Sequence, residues 1–324
     1  MPRIKVVIPD DFPPVMAPSL AYRELLERAE VERYDTLPGS EEALSTRIAR
    51  AELVLNIRAS SRFTAEVFAR APRLRLLSIW GTGTDNVDLV AAARHGVTVT
   101  NTPGVSAAAV AEHTLALLLA AARRIPQVDA ATRRGEWPRG DVVLLAGRTL
   151  GVVGLGAIGS RFARLGAGIG MRVVAWTMHP RPEPEFEMVT LHELLATSDA
   201  VSLHLRLSPE TRGFIGRGEL ARMKASAILV NTARGPIVDE AALVEALASR
   251  RIAAAGLDVF ETEPLPADHP FNGMDNVVLT PHSAGIAPEV LEAGLRLAVE
   301  NIWSFLDGRP RHVVAGPESE GSRP

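Results

Sequence analysis

The 324-residue sequence contains no cysteine. This absence excludes disulfide bonds, catalysis by a thiolate and metal sites with cysteine ligands. Long apolar runs are also missing, because the longest, Leu115–Ala122, is far shorter than the roughly 20 residues that cross a bilayer. The N-terminal segment Met1–Ile8 is typical of a first strand and lacks the apolar region of a secretory signal. We therefore expect a cytoplasmic protein that has no membrane partner.

Clusters of like charge are absent as well. The formal net charge is −3, and no long basic or acidic run occurs. A nucleic-acid-binding surface needs clustered Lys and Arg, so nucleic acid is not expected as a partner. Apolar residues make up 47% of the chain, which allows a sizeable core, and the length suits two domains better than one.

Short apolar strands alternate with helical segments along most of the chain, a pattern typical of α/β domains with parallel sheets. The predicted strands are 5–8, 53–56, 74–79, 98–101, 150–153, 172–176, 200–205, 227–231, 254–258 and 277–279. Helices are predicted at 19–29, 106–124 and 288–306. The helix 106–124 is apolar around nearly its whole circumference, so we expect it to be buried between domains or subunits. The tail after Val314 is rich in Gly, Pro, Ser and Glu, which predicts disorder.

One segment has the pattern of a dinucleotide-binding turn. A strand leads into Gly154-Leu155-Gly156-Ala157-Ile158-Gly159, and a helix and a second strand follow. In this arrangement the first glycine permits a tight turn, the second lets a pyrophosphate approach the backbone, and the third lets the helix pack close to the sheet. The strand and the helix stand in the right places, so the motif predicts an NAD(P) site. Its expected contacts are Gly154, Gly156, Ala157, Ile158 and Gly159.

The end of the second strand leaves the choice between NAD and NADP open. An NAD-specific site usually carries Asp or Glu there to bind the ribose hydroxyls, but this chain has Thr177. Arg181 could pair with a 2′-phosphate, and it could equally be a solvated loop residue. Thr177 and Arg181 are therefore both candidate cofactor contacts.

Three further segments, 230–236, 257–264 and 279–285, each follow a predicted strand. Ligands bind at the carboxyl ends of strands in an open α/β sheet, so these segments should face the same crevice as the glycine turn. Hydride transfer from a hydroxy acid needs a cation for the carboxylate, a base for the hydroxyl proton and a carboxylate that orients the base. Arg234, His282 and Glu263 supply one of each. No histidines are paired at metal-ligand spacing, so no metal is expected.

The chain resembles the D-isomer-specific 2-hydroxyacid dehydrogenase family. The resemblance runs from about Leu53 to Val314 and rests on the three segments above together with Gly81–Asp88 and Ala111–Thr114, in the family's order. It implies an oxidoreductase that transfers a hydride between NAD(P)(H) and a small D-2-hydroxy acid or its 2-keto acid. Glyoxylate, hydroxypyruvate and 3-phosphoglycerate are the candidate substrates.

The resemblance also implies roles for individual residues. Arg234 binds the substrate carboxylate and polarises the keto group, His282 is the acid/base, and Glu263 is the partner of His282. The substrate site that the resemblance implies also includes Arg58, Thr82 and Gly83. Asp258 would lie near the nicotinamide carboxamide. The other expected cofactor contacts are Thr82, Leu205, Thr232, Ala233, Ser283, Ala284 and Gly285.

The architecture that the resemblance implies is two Rossmann-like or flavodoxin-like α/β domains with parallel sheets and an active site in the cleft between them. Residues 1–100, completed by 287–324, would form the substrate domain, and 101–286 would form the NAD(P)-binding domain. A homodimer through the long helix 106–124 is expected.

Two alternatives stay open. Some proteins of the same fold are dinucleotide-sensing transcriptional co-regulators, and intact Arg234, Glu263 and His282 do not exclude that role. Formate or phosphite oxidation is the second alternative. Formate dehydrogenases carry Gln where Glu263 stands, which counts against formate.

Overall fold

The computed structural model describes residues 3–58, 60–179 and 185–317. The chain divides into two compact units. The first consists of Met1–Ser106 and Ile286–Pro324, and the second of Ala107–Gly285. The boundaries expected from the sequence, 100/101 and 286/287, differ from these by a few residues.

Each unit alternates strands and helices. The N-terminal part of the first unit contains β1 (Ile4–Ile8), α1 (Leu20–Arg28), β2 (Ala29–Arg33), α2 (Glu41–Ile48), β3 (Leu53–Asn56), α3 (Ala65–Ala69), β4 (Leu76–Ile79), α4 (Leu89–Arg94) and β5 (Thr98–Thr100). The second unit contains α5 (Ala107–Arg123), α6 (Ile125–Arg133), β6 (Thr149–Val153), α7 (Ala157–Gly168), β7 (Arg172–Trp176), β8 (Glu187–Met188), α8 (Leu191–Thr197), β9 (Ala200–Leu203), α9 (Arg217–Arg222), β10 (Ile228–Asn231), α10 (Glu240–Ala248), β11 (Ala254–Leu257) and β12 (Val277–Leu279). The chain then returns to the first unit with α11 (Pro288–Leu306) and β13 (Val313–Ala315).

The sheet of the first unit has the strand order β13-β5-β4-β3-β1-β2. Strands β1 to β5 pair in parallel, and β13 adds an antiparallel edge next to β5. The central strands are apolar and buried because helices cover both faces of a parallel sheet. The parallel part follows the flavodoxin-like order 2-1-3-4-5.

The second unit contains a seven-stranded sheet in the order β12-β11-β10-β9-β6-β7-β8. All of its strand pairs are parallel. The order reverses between β6 and β9, which is the topological switch point of a Rossmann-type sheet. Helix α5 packs closely on this sheet, since a Cβ on Gly256 of β11 would lie 3.0 Å from the Cβ of Leu117. The predicted α/β class with two parallel sheets is thereby confirmed.

The element bounds follow local signals in the sequence. Side chains at the starts of several helices accept hydrogen bonds from the first turn, as the Ser19 hydroxyl does from the Tyr22 amide at 3.3 Å. Strand β8 and helices α2, α3, α4 and α6 are absent from the sequence-based assignment because each is short or weakly periodic. None of the helices in the described ranges is both long and apolar enough to cross a membrane.

The predicted disorder after Val314 is wrong at its start. Ala315 belongs to β13 and pairs with Val99 of β5. Backbone pairing with the edge of the sheet orders this residue, and the composition of the tail that follows it cannot indicate such pairing. Residues 318–324 lie outside the described part of the chain.

Candidate active site

The glycine turn after β6 has the geometry that its spacing predicts. Gly154 has a φ of +100°, and its amide donates to the carbonyl of Trp176 at 2.7 Å. A Cβ on Gly159 would come within 1.9 Å of the Gly154 carbonyl oxygen, so α7 can pack on the turn only because Gly159 has no side chain. A Cβ on Gly156 would meet nothing within 4 Å. The middle glycine therefore borders open space.

The first turn of α7 fits an anionic group. Gly156 is the N-cap and provides no side-chain cap, and no acidic residue lies in the first turn. The amides of a helix N-terminus need acceptors, and the helix dipole favours negative charge there. The backbone near Gly156, Ala157 and Ile158 can thus hold a pyrophosphate.

The carboxyl ends of the strands next to β6 border the glycine turn. Val153 pairs with Trp176, so Thr177, the residue after β7, lies beside Gly154. Leu205, beyond the end of β9, lies on the other side of the turn, about 3.1 Å from the position that a Cβ on Gly154 would take. Arg181, the other ribose candidate, lies outside the described residues.

The turn also contacts a neutral histidine. The carbonyl oxygen of His204 lies 2.7 Å from the position of a Gly154 Cβ, and the His204 ring contacts Phe162 and bonds the Ser202 hydroxyl at 2.9 Å. Desolvation lowers the pKa of His204 to about 3. The imidazole therefore adds no charge to the glycine turn.

The three candidate catalytic side chains lie on loops that leave β10, β11 and β12. These strands are neighbours and parallel, so the loops emerge at the same edge of the sheet as the glycine turn. A Cβ on Gly235, the residue after Arg234, would come within 1.9 Å of the Phe260 backbone. The Arg234 loop therefore packs directly against the loop that carries Glu263.

Glu263 and His282 form a hydrogen-bonded pair. Glu263 Oε2 lies 2.7 Å from His282 Nδ1, and Oε1 accepts from the Phe260 amide at 3.0 Å. Burial opposes ionisation of Glu263, but the hydrogen bond and charge of His282, the Phe260 amide and the charge of Arg234 hold the pKa of this carboxyl below its ordinary value. An ionised carboxylate only accepts, so Nδ1 carries a hydrogen. Nε2 is then the ring atom that can exchange a proton with a ligand.

The Arg234 loop is fixed from inside by a buried amide. The Asn231 side chain accepts from the Ala233 amide at 3.0 Å and donates to the Arg234 carbonyl at 2.9 Å. Arg234 Nη1 donates to the Ala233 carbonyl at 2.8 Å. The Thr232 hydroxyl lies 2.8 Å from that of Thr114 on α5. These contacts fix the backbone from which the Arg234 guanidinium extends, just beyond the end of β10.

The His282 loop is held by the fully buried Asp258. Its carboxylate accepts from the amides of Ser283 and Ala284, both at 2.9 Å, and from the Thr280 hydroxyl at 2.6 Å. The His282 amide donates to the Asp258 carbonyl at 2.7 Å. His282 itself has a φ of +51°, a conformation that non-glycine residues adopt only when the surroundings hold them there.

The remaining substrate-site candidates lie in the first unit. Thr82 and Gly83 follow β4, and the Thr82 carbonyl accepts from the Asn101 side chain at 2.8 Å. Arg58 follows β3 and donates to the carbonyls of Phe12 and Pro13 at 2.8 and 2.7 Å.

The backbone that carries Arg58 is anchored by a buried carboxylate. The oxygens of Asp10 accept from the amides of Ile57 and Arg58 at 3.0 and 3.2 Å. Burial raises the pKa of Asp10, and these hydrogen bonds oppose that rise.

Comparisons with known proteins identify the family of the chain. A family model described as "D-isomer specific 2-hydroxyacid dehydrogenase, NAD binding domain" matches residues 115–284. The chain is 45% identical over 269 residues to a glyoxylate reductase of Aeropyrum pernix, a match that covers 79% of this chain and 80% of that protein. It is 39% identical over 300 residues to a D-3-phosphoglycerate dehydrogenase of Archaeoglobus fulgidus, covering 88% of this chain and 57% of that protein.

The chain belongs to the D-isomer specific 2-hydroxyacid dehydrogenase family.

Solved structures agree with this assignment. The TT0316 protein of Thermus thermophilus is 40% identical with a TM-score of 0.88, and the match covers 96% of this chain and 100% of that one. An acyclic imino acid reductase solved with NADPH and D-Arg is 31% identical with a TM-score of 0.89 and the same coverage. This member of the family is thus an NAD(P)-dependent oxidoreductase of 2-hydroxy acids. The co-regulator and formate or phosphite alternatives are not favoured by these relatives.

Sequence reasoning missed several residues that support the site. Asn231 and Gly235 lie within a segment that the sequence singled out, but neither received a role. His113, which belongs to the motif Ala111–Thr114 but received no role of its own, lies 2.9 Å from the Thr280 hydroxyl. The motif Ala111–Thr114 was the available signal, and its partners are more than a hundred residues away in the chain.

Among the described residues, no group of His, Asp and Glu is arranged to hold a metal.

Two glycines of the turn should respond differently to alanine. Gly159→Ala places a Cβ against a backbone carbonyl, so we expect it to destabilise the protein by about 1–3 kcal/mol and to weaken cofactor binding. Gly156→Ala meets no protein atom, so it should leave the melting temperature nearly unchanged while it still weakens NAD(P)H binding. Thermal unfolding without cofactor and titration of NADH fluorescence measure the two effects. Equal losses of stability in both variants would contradict this assignment.

The Glu263–His282 pair predicts a pH effect. The pKa of the Glu263 carboxyl lies below its ordinary value. The carboxylate beside His282 Nδ1 therefore stays ionised at a pH where a free glutamate would begin to take up a proton. Glu263→Gln removes this charge and should move the pH profile of kcat/KM for keto-acid reduction to lower pH, by about one unit. Glu261→Gln, on the same loop but paired with Arg212, is the control and should not move the profile. A Glu263→Gln profile that coincides with wild type would exclude the pairing.

Proposed function

We propose that this protein reduces glyoxylate, or a similarly small 2-keto acid, to the D-2-hydroxy acid with NADH or NADPH. The observation that carries this proposal is the Glu263–His282 pair at 2.7 Å. The pair joins the loops after β11 and β12, next to the loop of Arg234 and at the same sheet edge as the glycine turn after β6. The name of the Aeropyrum pernix relative, a glyoxylate reductase, supports the choice of substrate.

We assign the cofactor to the second unit. The pyrophosphate would bind at the start of α7, and the ribose would lie at the end of β7 near Thr177. The nicotinamide would lie toward the loops that carry Asp258 and His282. The further contacts proposed on these loops and in the first unit are Thr82, Leu205, Thr232, Ala233, Ser283, Ala284 and Gly285. When bound, the cofactor supplies the hydride.

The protein's own part is to bind and to move one proton. Arg234 would hold the substrate carboxylate, because a guanidinium can bind both carboxylate oxygens. His282 Nε2 would give its proton to the keto oxygen as that oxygen gains negative charge, and Glu263 would stabilise the protonated ring. The remaining substrate contacts that we propose are Arg58, Thr82 and Gly83 of the first unit.

We also propose a cytoplasmic homodimer through α5 and the segments that follow it. Leu119 on α5 is exposed, as are Ile125 and Val128 on α6. Trp137, 75% exposed, and Leu144, 69% exposed, belong to the same stretch of chain. Several large apolar side chains exposed within about 25 residues are typical of a surface that associates. Light scattering coupled to size-exclusion chromatography would measure the mass, and a monomer at micromolar concentration would contradict the dimer.

The proposed clamp, which is the hold of the Arg234 guanidinium on the substrate carboxylate, gives the test of the proposed function. Wild type is assayed with glyoxylate, hydroxypyruvate, pyruvate, phenylpyruvate and 3-phosphoglycerate, each with NAD(P)H or NAD(P)+ as the direction requires. Arg234→Lys keeps the charge but loses the planar fork, so kcat/KM for the preferred acid should fall about 10- to 100-fold. Arg212→Lys, an exposed ion-paired arginine, should behave as wild type. Absence of turnover with all the acids would refute the substrate class, and an unaffected Arg234→Lys variant would refute the clamp.

Thr177 predicts that both cofactors are used. An uncharged side chain beside the turn neither binds the ribose hydroxyls as a carboxylate does nor repels a 2′-phosphate, and the acyclic imino acid reductase of the same fold was solved with NADPH. Thr177→Asp should shift the ratio of kcat/KM values toward NADH by about 10- to 100-fold, because the carboxylate binds the ribose and repels the phosphate. Thr197→Asp, exposed at the end of α8, is the control. An unchanged ratio in Thr177→Asp would mean that residue 177 does not face the ribose.

A further inference from the structure

A chain of hydrogen bonds links α5 to the His282 loop. His113, which lies one turn and a half into α5, places Nε2 2.9 Å from the Thr280 hydroxyl. The Thr280 hydroxyl lies 2.6 Å from Asp258 Oδ1, and the direct distance from His113 Nε2 to that oxygen is 3.6 Å. The Asp258 side chain is 1% exposed and that of His113 is 24% exposed. A nearly buried acidic group is thus reached from the helix through one hydroxyl.

The direction of these hydrogen bonds follows from the number of hydrogens. The Thr280 hydroxyl has one hydrogen, and it donates this hydrogen to Asp258. Toward His113 the Thr280 oxygen can then only accept, so His113 Nε2 must carry a hydrogen. The order is His113 to Thr280 to Asp258. A side chain without a donor at this position would leave the Thr280 oxygen without its helix partner.

Asp258 holds the backbone on both sides of the candidate acid/base. Its carboxylate binds the Thr280 hydroxyl before His282 and the amides of Ser283 and Ala284 after it. His282 lies between these points with a φ of +51°, which is unfavourable for a residue with a Cβ. The loop therefore keeps this conformation through its contacts with Asp258, and Asp258 is oriented in turn by Thr280 and His113.

The next residue of α5 supports the neighbouring loop. The Thr114 hydroxyl donates to the Val110 carbonyl at 2.6 Å, so it can only accept from the Thr232 hydroxyl at 2.8 Å. Thr232 comes two residues before Arg234. Adjacent residues of one helix thus contact the loops that carry the proposed clamp and the proposed acid/base.

We propose that His113 is a positioning residue for His282 and acts by donating a hydrogen bond through Thr280 to Asp258. This inference rests on the proposed role of His282 as acid/base. Substrate and cofactor need not touch His113 for this role. Its effect should appear in kcat, because a small displacement of a proton-transfer group slows the reaction more than it weakens binding.

The test compares variants that keep or remove the donor. His113→Leu removes it and should lower kcat about 10- to 100-fold, with little change in the KM for NAD(P)H. His113→Gln places an amide nitrogen near the position of Nε2 and should retain most of the activity. Thr280→Val should lower kcat about as much as His113→Leu does. The double variant should be no slower than either single variant, because each substitution interrupts the same series of hydrogen bonds. His192→Leu, on the exposed start of α8, is the matched control and should leave kcat unchanged.

Several outcomes would overturn the inference. These are a wild-type kcat in His113→Leu, a His113→Gln variant as slow as His113→Leu, or losses that add in the double variant. Thermal unfolding of each variant, with assays well below the melting temperature, separates a loss of folded protein from a loss of kcat. His282→Ala separates the proposed role of His282 as acid/base from the proposed role of His113 in positioning it. It should lower kcat by about 10²–10⁴, and a normal kcat there would refute the proposed acid/base rather than the role of His113.

Discussion

The parallel direction of all seven strands in the second unit is the constraint on which its chemistry depends. Parallel strands end at one edge of a sheet, so the loops after β6, β10, β11 and β12 all emerge there. The glycine turn, Arg234, Glu263 and His282 are far apart in the sequence and are brought to the same edge by this geometry alone. The reversal of strand order between β6 and β9 separates the loops on either side and leaves room for a ligand between them.

A buried carboxylate holds the loop that carries His282. Burial of Asp258 without partners would be strongly unfavourable, and its three hydrogen-bond donors on the His282 loop offset that penalty. The same bonds stabilise His282 in a left-handed conformation. Stability and the proposed function are therefore coupled at this point, because the contacts that allow the Asp258 carboxylate to be buried are also those that orient the proposed acid/base, His282.

Charge is placed unevenly between the two parts of the site. The glycine turn offers backbone amides at a helix N-terminus, where the helix dipole favours negative charge, and the buried His204 beside it is neutral. Glu263, His282 and Arg234 by contrast form a set of interacting charges, and the lowered pKa of Glu263 reflects that interaction. Backbone amides without a formal charge suit a cofactor that must leave after each turnover. The interacting charges of Glu263, His282 and Arg234 suit a group whose charge changes during the reaction.

Much of the fold could be predicted from the sequence because its signals are local. Apolar runs bounded by turn residues predicted β3, β7, β12 and α11 at their observed ends, and the glycine spacing predicted strand, turn and helix around Gly154. Short helices such as α3 and the strand β13 could not be predicted in this way. The three residues Val313–Ala315 are too few to give a strand pattern of their own, and they form a strand by pairing with β5 at the edge of the sheet.

The sequence by itself determined the α/β class, the dinucleotide turn and the residue types that the chemistry needs, since each depends on neighbours within a few positions. The tertiary structure alone decided that Glu263 bonds His282 through Nδ1, that Asn231 closes the Arg234 loop, and that His113 reaches Asp258 through Thr280. These contacts join residues on different strands and helices. Hydrogen bonds are short and directional, and no spacing along the chain specifies which distant side chains will meet.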